Sequence, residues 1–170
     1  MKKTLFLLIS PLAFAFAVET ATVTEAKAEV HSSSGSKVKG VVTFTQVDGG
    51  VKIVADFEGL TPGKHGFHIH EKGDCSAADA SSAGAHYNPT NQPHGGPDSE
   101  KRHVGDFGNV KADESGKAHY ERIDTVISLN GDHSIVEKSV VIHQDPDDYV
   151  TQPSGNSGAR IGCGVINVVK

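Results

Sequence analysis

The sequence is poor in large aromatic side chains. It has no tryptophan, and aromatic residues make up 6% of its 170 positions. Valine, isoleucine and phenylalanine must therefore fill most of any core. The length suffices for one domain with a core of its own.

Helical periodicity is also missing beyond the N-terminal residues. Short segments instead alternate apolar and polar residues, which is typical of half-buried strands. Two of them flank the turn residues Asp48–Gly50 and predict a hairpin. Their inward faces are Val38, Gly40, Val42 and Phe44, then Val51, Ile53, Ala55 and Phe57. About eight such segments predict an all-β sandwich or barrel.

Two long connections interrupt this rhythm, residues 71–105 and residues 144–158. Loops of this length without structure of their own are usually functional or disordered. Candidate metal ligands lie in or beside both loops, which favours function.

The N-terminal residues have no acidic charge up to Val18. Two lysines precede an apolar run, and alternate alanines from Ala13 provide a cleavage site. The pattern predicts a secretory signal peptide at residues 1–17, too short for a membrane span. An uncleaved anchor and a later cut near Ala28 are the alternatives. A flexible lead, residues 18–25, and one domain, residues 26–170, would follow.

Cysteine is scarce, since Cys75 and Cys163 are the only two. An even pair in an exported chain predicts one disulfide, because export leads to an oxidising compartment. Two buried free thiols are the alternative. No cysteine lies near residue 20, so a lipid anchor there is not available and we expect no membrane anchor in the mature chain.

Positive charge is not in excess. The formal charge is −5, and loss of Lys2 and Lys3 with the signal peptide leaves 14 basic against 21 acidic residues, near −7. This charge argues against nucleic acid as a partner.

Histidine, in contrast, is abundant, with ten residues. His68 and His70 occupy alternate positions of a predicted strand, so their side chains share one face. His143 ends another predicted strand and could join them. An all-histidine set of this kind suits copper.

A second group of candidate ligands lies in and just after the first long loop. It comprises His86, His94, His103 and Asp106. Three histidines and one aspartate suit tetrahedral zinc. Spacing alone does not fix the number of metals. We interpret His31, His65, His119 and His133 as ordinary surface or core residues.

Six segments together resemble the signature segments of copper/zinc superoxide dismutases. They are GFHIHEKGD, GAHYNP, HGGPDSEKRHVGDFGNV, ISLNGDHSIV, VVIHQDPDD and GNSGARIGCGVI, in that family's order. The resemblance covers the mature domain and implies an eight-stranded Greek-key β-sandwich or flattened barrel.

The resemblance also implies one copper and one zinc per subunit. The implied copper ligands are His68, His70, His86 and His143, and the implied zinc ligands are His86, His94, His103 and Asp106. Asp147 is the implied carboxylate partner of His68 and His94. Cys75 and Cys163 are the implied disulfide, and Arg160 is the implied arginine beside copper.

The activity implied by the resemblance is disproportionation of superoxide to oxygen and hydrogen peroxide. Copper would cycle between Cu(II) and Cu(I), while zinc, which has no redox chemistry, would be structural. Arg160 and His86 would be the catalytic residues, with His86 leaving reduced copper to pick up a proton.

The last long loop has no lysine between His143 and Arg160. This feature resembles exported bacterial members and predicts weak electrostatic steering of superoxide, with only a modest effect of salt. Lys72, Lys101 and Arg102 are the candidate steering residues. We expect a periplasmic or secreted enzyme.

Two other functions fit the same fold. A periplasmic copper/zinc binding or delivery protein would keep the ligands without needing Arg160. A structural protein that binds only zinc would have no reason to keep His68, His70 and His143. A homodimer is a candidate assembly, although the charge of Glu137 disfavours the pairing mode of animal members.

Overall fold

The computed structural model describes residues 21–169, and these residues form eight β-strands. The strands are β1 Glu25–Ser32, β2 Lys39–Val47, β3 Gly50–Glu58, β4 Gly63–His70, β5 Asp106–Ala112, β6 Ala118–Asp124, β7 Ser139–His143 and β8 Arg160–Val168. A single 3-10 turn, Ser81–Ala83, interrupts the loop between β4 and β5. The two predicted long loops are present and connect β4 to β5 and β7 to β8.

The strands close into one antiparallel barrel in the order β1-β2-β3-β6-β5-β4-β7-β8. Here β3 pairs with β6 rather than with β4, and β4 pairs with both β5 and β7. Closure gives each of these eight strands two neighbours, although β5 and β6 pair only between Ala112 and Ala118. The predicted all-β fold is confirmed, and of the two forms considered, sandwich or barrel, the barrel is the one observed.

The core is filled by the residue types that the composition favours. Phe67 lies at its centre, with edge-to-face contacts to Phe57, Phe107 and Tyr120 at centroid distances of 5.1–5.7 Å. The predicted inward faces of β2 and β3 are buried, apart from the half-buried Gly40. The predicted hairpin is also confirmed, because β3 begins at Gly50 directly after the turn.

The predicted signal peptide, residues 1–17, lies outside the described residues. Strand β1 begins at Glu25, the last residue of the predicted lead. Two hydrogen bonds of 2.9 Å join the backbone of Val23 to the side chain of Asn130. The described end of the lead is therefore attached to the barrel. Within residues 21–169, no helix is long and apolar enough to cross a membrane.

Two anchors attach the first long loop to the barrel. The predicted disulfide is present between Cys75 in the loop and Cys163 in β8. At the other end of the loop, buried Arg102 donates to Asp124 at 2.6 Å, to the carbonyls of two loop residues and to that of Asp106, the first residue of β5. Arg102 is therefore a structural residue, and its interpretation as a steering residue was wrong.

Candidate metal centre

The predicted pair on β4 forms one half of a buried histidine cluster. The strand cluster comprises His68, His70, His86 and His143, and one ligand atom from each lies within 4.8 Å of the others. His68 and His70 project together because they occupy alternate positions of β4. His143 ends β7, the neighbour of β4 in the barrel. A backbone bridge between His70 and His86 brings the loop histidine to the strands.

A second cluster is built mainly from the first long loop. The loop cluster comprises His86, His94, His103 and Asp106, again with ligand atoms within 4.8 Å of one another. The Nδ1 atoms of the three histidines lie 2.9, 3.0 and 3.3 Å from carboxylate oxygens of Asp106. Ligands at zinc–ligand distances in a tetrahedral site are separated by about 3.3 Å, which matches this spacing.

His86 belongs to both clusters. Its Nδ1 faces Asp106, and its ring lies 4.0 Å from that of His68 by centroid distance. Its Nε2 therefore faces the strand cluster.

Four buried nitrogens make no well-aligned hydrogen bond within the described residues, although two of them lie 3.0 and 3.3 Å from an Asp106 oxygen. They are Nδ1 of His68, His94 and His103 and Nε2 of His86. Buried polar atoms are rarely left unpaired, so each of these calls for a ligand. All four belong to the two clusters, and a copper in the strand cluster and a zinc in the loop cluster fit them.

Asp147 joins the two clusters from behind. Its fully buried carboxylate accepts from Nε2 of His68 at 2.7 Å and from Nε2 of His94 at 2.9 Å. The carboxylate thus leaves the Nδ1 atoms of both histidines to face the centre. Gly155, with a φ of 67°, allows the close approach, because a Cβ there would collide with Asp147 and His94.

Sequence reasoning missed the residue that holds Asp147. The side chain of Asn109 donates to the Asp147 carbonyl at 2.9 Å and accepts from its N–H at 2.8 Å. The hydroxyl of Tyr149 lies 3.0 Å from Asn109 Nδ2 and accepts from it. Asn109 occurs in the segment HVGDFGNV, but an amide in a strand carries no signal of this role.

Backbone carbonyls orient the remaining strand-cluster residues. Nδ1 of His70 donates to the Gly84 carbonyl at 2.9 Å, which turns Nε2 towards His143. His65, interpreted from the sequence as an ordinary residue, is buried and lies 2.9 Å from the carbonyl of His143. His65 therefore supports the end of β7.

Burial sets the charge of the strand cluster. It lowers the pKa of His68, and it holds the pKa values of His70 and His143 well below their ordinary value. It lowers the pKa of His86 to about 3. These imidazoles are neutral at pH 7, which is the form that binds metals.

Carboxylates set the charge of the loop cluster. Burial lowers the pKa of His94, but Asp106 and Asp147 outweigh it and raise that pKa to about 9. Burial raises the pKa of Asp106, but hydrogen bonds from the neighbouring histidines outweigh burial and hold the Asp106 pKa below its ordinary value. The loop cluster is therefore the more polar of the two and suits a hard or borderline dication.

Three strand-cluster residues, His70, His86 and His143, line a cavity of about 790 Å³. Of the other loop-cluster residues, His103 lines this cavity, whereas His94 and Asp106 do not. His70, His143 and Arg160 form part of its wall. The guanidinium of Arg160 donates to the carbonyls of Ala80 and Gly84, each at 2.7 Å. It is thereby fixed beside the histidines and can hold an anion.

Comparison with known proteins agrees with this geometry. A family model described as copper/zinc superoxide dismutase (SODC) matches residues 38–166. A superoxide dismutase [Cu-Zn] of Paramecium bursaria Chlorella virus 1 is 47% identical over 140 residues, which is 78% of this chain and 74% of the relative. An extracellular superoxide dismutase [Cu-Zn] of Drosophila melanogaster is 48% identical over 144 residues, 80% of this chain and 79% of the relative.

A solved structure has the same fold. The crystal structure of the clock protein EA4 has a TM-score of 0.82 and 41% sequence identity, and the match covers 91% of this chain and all of that one (100%). The family model and the identities over most of the chain lead to one conclusion: this chain belongs to the copper/zinc superoxide dismutase family.

Proposed function

We propose that the chain is a superoxide dismutase, which converts two superoxide ions and two protons into oxygen and hydrogen peroxide. The observation that carries this proposal is the joining of two buried metal-type clusters by His86, with Arg160 fixed where the strand cluster meets the cavity. Family membership supports the same activity.

The two clusters divide the metals between them. We assign copper to the strand cluster and zinc to the loop cluster, one ion of each per subunit. Bound copper supplies reversible one-electron redox chemistry, which zinc lacks. The orphaned nitrogens of His68 and His86 support the copper assignment, and the aspartate of the loop cluster supports the zinc assignment.

Arg160 binds the substrate anion. Its guanidinium stays charged at any physiological pH, and two backbone carbonyls hold it in place. A superoxide ion in the cavity therefore meets a fixed positive charge directly beside His70 and His143. Fixing the charge before the substrate arrives lowers the cost of orienting it.

His86 is the residue that handles a proton. Its Nε2 faces the strand cluster, and the residue lines the cavity, so a proton on this atom can reach bound substrate. Its Nδ1 stays beside Asp106, which holds the ring in one orientation. The carboxylate of the loop cluster thereby positions a catalytic residue without lining the cavity itself.

The alternative delivery function is disfavoured by Arg160. A protein that passes metals on has no use for a guanidinium held by two carbonyls at the mouth of the copper site. No observation favours the structural zinc-only protein either, because the strand cluster is complete.

We also propose export of the chain. Residues 1–17 would be removed as a signal peptide and residues 26–170 would form the enzyme, in the periplasm or outside the cell. The Drosophila relative is named as an extracellular protein, which supports secretion. The likeness to exported bacterial members and the homodimer stay predictions, the latter testable by sedimentation of the purified protein.

The activity is tested by loading the purified mature protein with copper and zinc and following superoxide decay by pulse radiolysis. We expect rapid decay with the wild type, none above background with His143→Ala, and wild-type decay with His119→Ala. His119 is exposed and pairs with Asp56 outside both clusters, so it is the matched control. A fully loaded wild type that leaves superoxide untouched would refute the proposed function.

A further inference from the structure

The connection between β1 and β2 lies against the backbone of Arg160. Ser33, Ser34 and Ser36 occupy this connection, and residues 33–36 are called the serine turn below. None of these serines belongs to either metal cluster. Their hydrogen bonds nevertheless run to the start of β8 and to the first long loop.

The serine turn extends the contact between β1 and β8. The last register pair of these two strands joins Ser32 to Gly162. One residue further, the N–H of Ser33 donates to the carbonyl of Ile161 at 3.1 Å. The chain then turns away, so Arg160, the first residue of β8, has no β1 residue opposite it.

Two hydroxyl groups take the place of a strand partner at Arg160. The side chains of Ser33 and Ser34 each donate to the Arg160 carbonyl at 2.8 Å. A carbonyl oxygen has two lone pairs, so both of them are used. On the opposite side, Arg160 pairs with His143 of the strand cluster. The backbone of Arg160 is therefore held from both sides.

The serine turn also holds the loop segment that receives the guanidinium of Arg160. The N–H of Ser34 donates to the carbonyl of Ala78 at 2.7 Å. Two residues further along this loop, the carbonyl of Ala80 accepts from the guanidinium, as does that of Gly84. Ser34 thus contacts both the backbone of Arg160 and the loop segment that binds its side chain, and it fixes their separation.

This loop segment is well enough packed to transmit the contact. The 3-10 turn Ser81–Ala83 lies between the two acceptor carbonyls. Ala80 and Ala83 are fully buried and pack with Val141 of β7 and Cys163 of β8. The acceptors of the guanidinium are therefore fixed to the barrel.

Ser36 belongs to the same turn but has different partners. Its hydroxyl donates to the carbonyl of Ile161 and accepts from the N–H of Val38. Within residues 21–169, none of its hydrogen bonds goes to Arg160 or to the first long loop. Ser36 therefore separates the stability of the turn from any effect on Arg160.

We infer that Ser33 and Ser34 are positioning residues, which fix the guanidinium of Arg160 and thereby strengthen the binding of small anions in the cavity. This inference rests on the role of Arg160 in the proposed dismutase function. A charge that is fixed before the anion arrives needs no ordering when the anion binds. Without the two hydroxyls, the Arg160 backbone would gain freedom relative to the Ala80 and Gly84 carbonyls.

The test is a double-mutant cycle on the copper- and zinc-loaded protein. Ser33→Ala/Ser34→Ala removes both hydroxyls but keeps the backbone hydrogen bonds of the turn. Arg160→Ala removes the side chain that these serines position, and a third variant combines all the changes. The cycle isolates the part of the effect that depends on Arg160. Ser36→Ala is the matched control.

The main readout is the dissociation constant of azide, a small anion that binds copper, from the change in copper absorption. Superoxide decay, metal content and the urea unfolding midpoint are recorded for the same proteins, because a loosened turn lowers stability whether or not Arg160 is involved. Ser34→Ala alone removes the exposed one of the two hydroxyls. It enters the same comparison in place of the double variant if the latter does not retain copper.

The serine double variant is expected to weaken azide binding by about three- to tenfold when Arg160 is present, and by less than about twofold in the Arg160→Ala background. Ser36→Ala should bind azide like the wild type, although its unfolding midpoint falls. Unchanged azide binding in the serine variants, or an equal loss with and without Arg160, would overturn the inference. An inactive wild type would instead refute the dismutase function, and the azide constants would still decide on the two serines.

Discussion

The strand cluster and the loop cluster share His86 but differ in how the fold builds them. Three of the four strand-cluster residues lie on β4 and β7, which pair within the barrel. The loop cluster takes three of its four residues from the connection between β4 and β5, with Asp106 opening β5. The first is neutral and has three of its four histidines at the cavity wall. The second contains a carboxylate, and its His94 and Asp106 do not line the cavity, although His86 and His103 do.

The difference shows how the two clusters can have separate roles in the metal centre. Ligands on paired strands stay in place without a metal, so the strand cluster can present an open site to a substrate. Ligands on a loop need anchors, and the chain provides them through the disulfide, Arg102 and Asp147. The predictions below remove these anchors in turn, from the largest expected effect to the smallest.

The disulfide is the anchor with the largest expected effect. Cys75→Ser/Cys163→Ser removes a crosslink between residues 88 positions apart, which should lower the free energy of unfolding by about 4–5 kcal/mol. Urea unfolding of the metal-free proteins measures the change. Because Ala80 and Gly84 of the same loop hold Arg160, superoxide decay should also slow. An unchanged unfolding midpoint would contradict the anchoring role.

Arg102 anchors the loop cluster more selectively. Arg102→Gln removes the closest cation of the buried Asp124 carboxylate and leaves it the more distant Arg122 at 3.4 Å, so the free energy of unfolding should fall by about 3 kcal/mol. Zinc uptake should weaken more than copper uptake, because Arg102 adjoins His103 of the loop cluster. The matched control is the exposed neighbour Lys101→Gln, expected to stay within about 0.5 kcal/mol of the wild type. Equal weakening of both metals would count against the separation of the clusters.

Asp147 contacts both clusters, so its substitution shows which cluster depends more on a supporting hydrogen bond. Asp147→Asn should lower zinc affinity by about 10- to 100-fold, since an amide cannot accept from both His68 and His94. Copper affinity should fall less, because β4 still positions His68. Competition with chelators measures both affinities, and Asp148→Asn, which changes a carboxylate that faces Thr151, is the control. Equal losses of the two metals would show that strand placement gives no advantage.

Asn109 has the smallest expected effect, since among the residues of the metal centre it contacts the backbone of Asp147 and no ligand. Asn109→Ala removes both hydrogen bonds and should lower zinc affinity by about three- to tenfold, the low end of the range for groups outside the ligand set. Tyr149→Phe keeps those bonds and removes only the hydroxyl contact, so it should bind zinc like the wild type. The same chelator competition distinguishes the two variants. Equal losses of zinc affinity in Asn109→Ala and Tyr149→Phe would show that the Tyr149 hydroxyl, and not the two bonds from Asn109 to Asp147, is what matters.

The strands and the strand cluster could largely be predicted from the sequence, whereas the loop cluster could not. Alternation of residue types predicted β2, β3 and their hairpin, because a strand side chain has only two faces to choose between. The same rule placed His68 and His70 together without further information. His143 could be assigned to a strand end, but its pairing with β4 depends on barrel topology that no local pattern contains.

Strand alternation says nothing about the loop cluster. Nothing in the spacing of His86, His94 and His103 fixes the path of a long loop. Ligand chemistry favoured zinc for this group, but only the family resemblance implied that His86 is shared with copper. Arg102 was misjudged because a charged residue in a loop usually lies at the surface.

The central claim is that the strand cluster performs the reaction and the loop cluster supports it. It is tested most directly by comparing His143→Ala with His103→Ala, each removing one histidine from one cluster, for metal content and superoxide decay after identical loading with both metals. We expect His143→Ala to keep zinc but lose copper and all activity, and His103→Ala to lose zinc while keeping copper and a measurable fraction of the rate. Activity retained by His143→Ala and abolished in a copper-loaded His103→Ala would contradict the account.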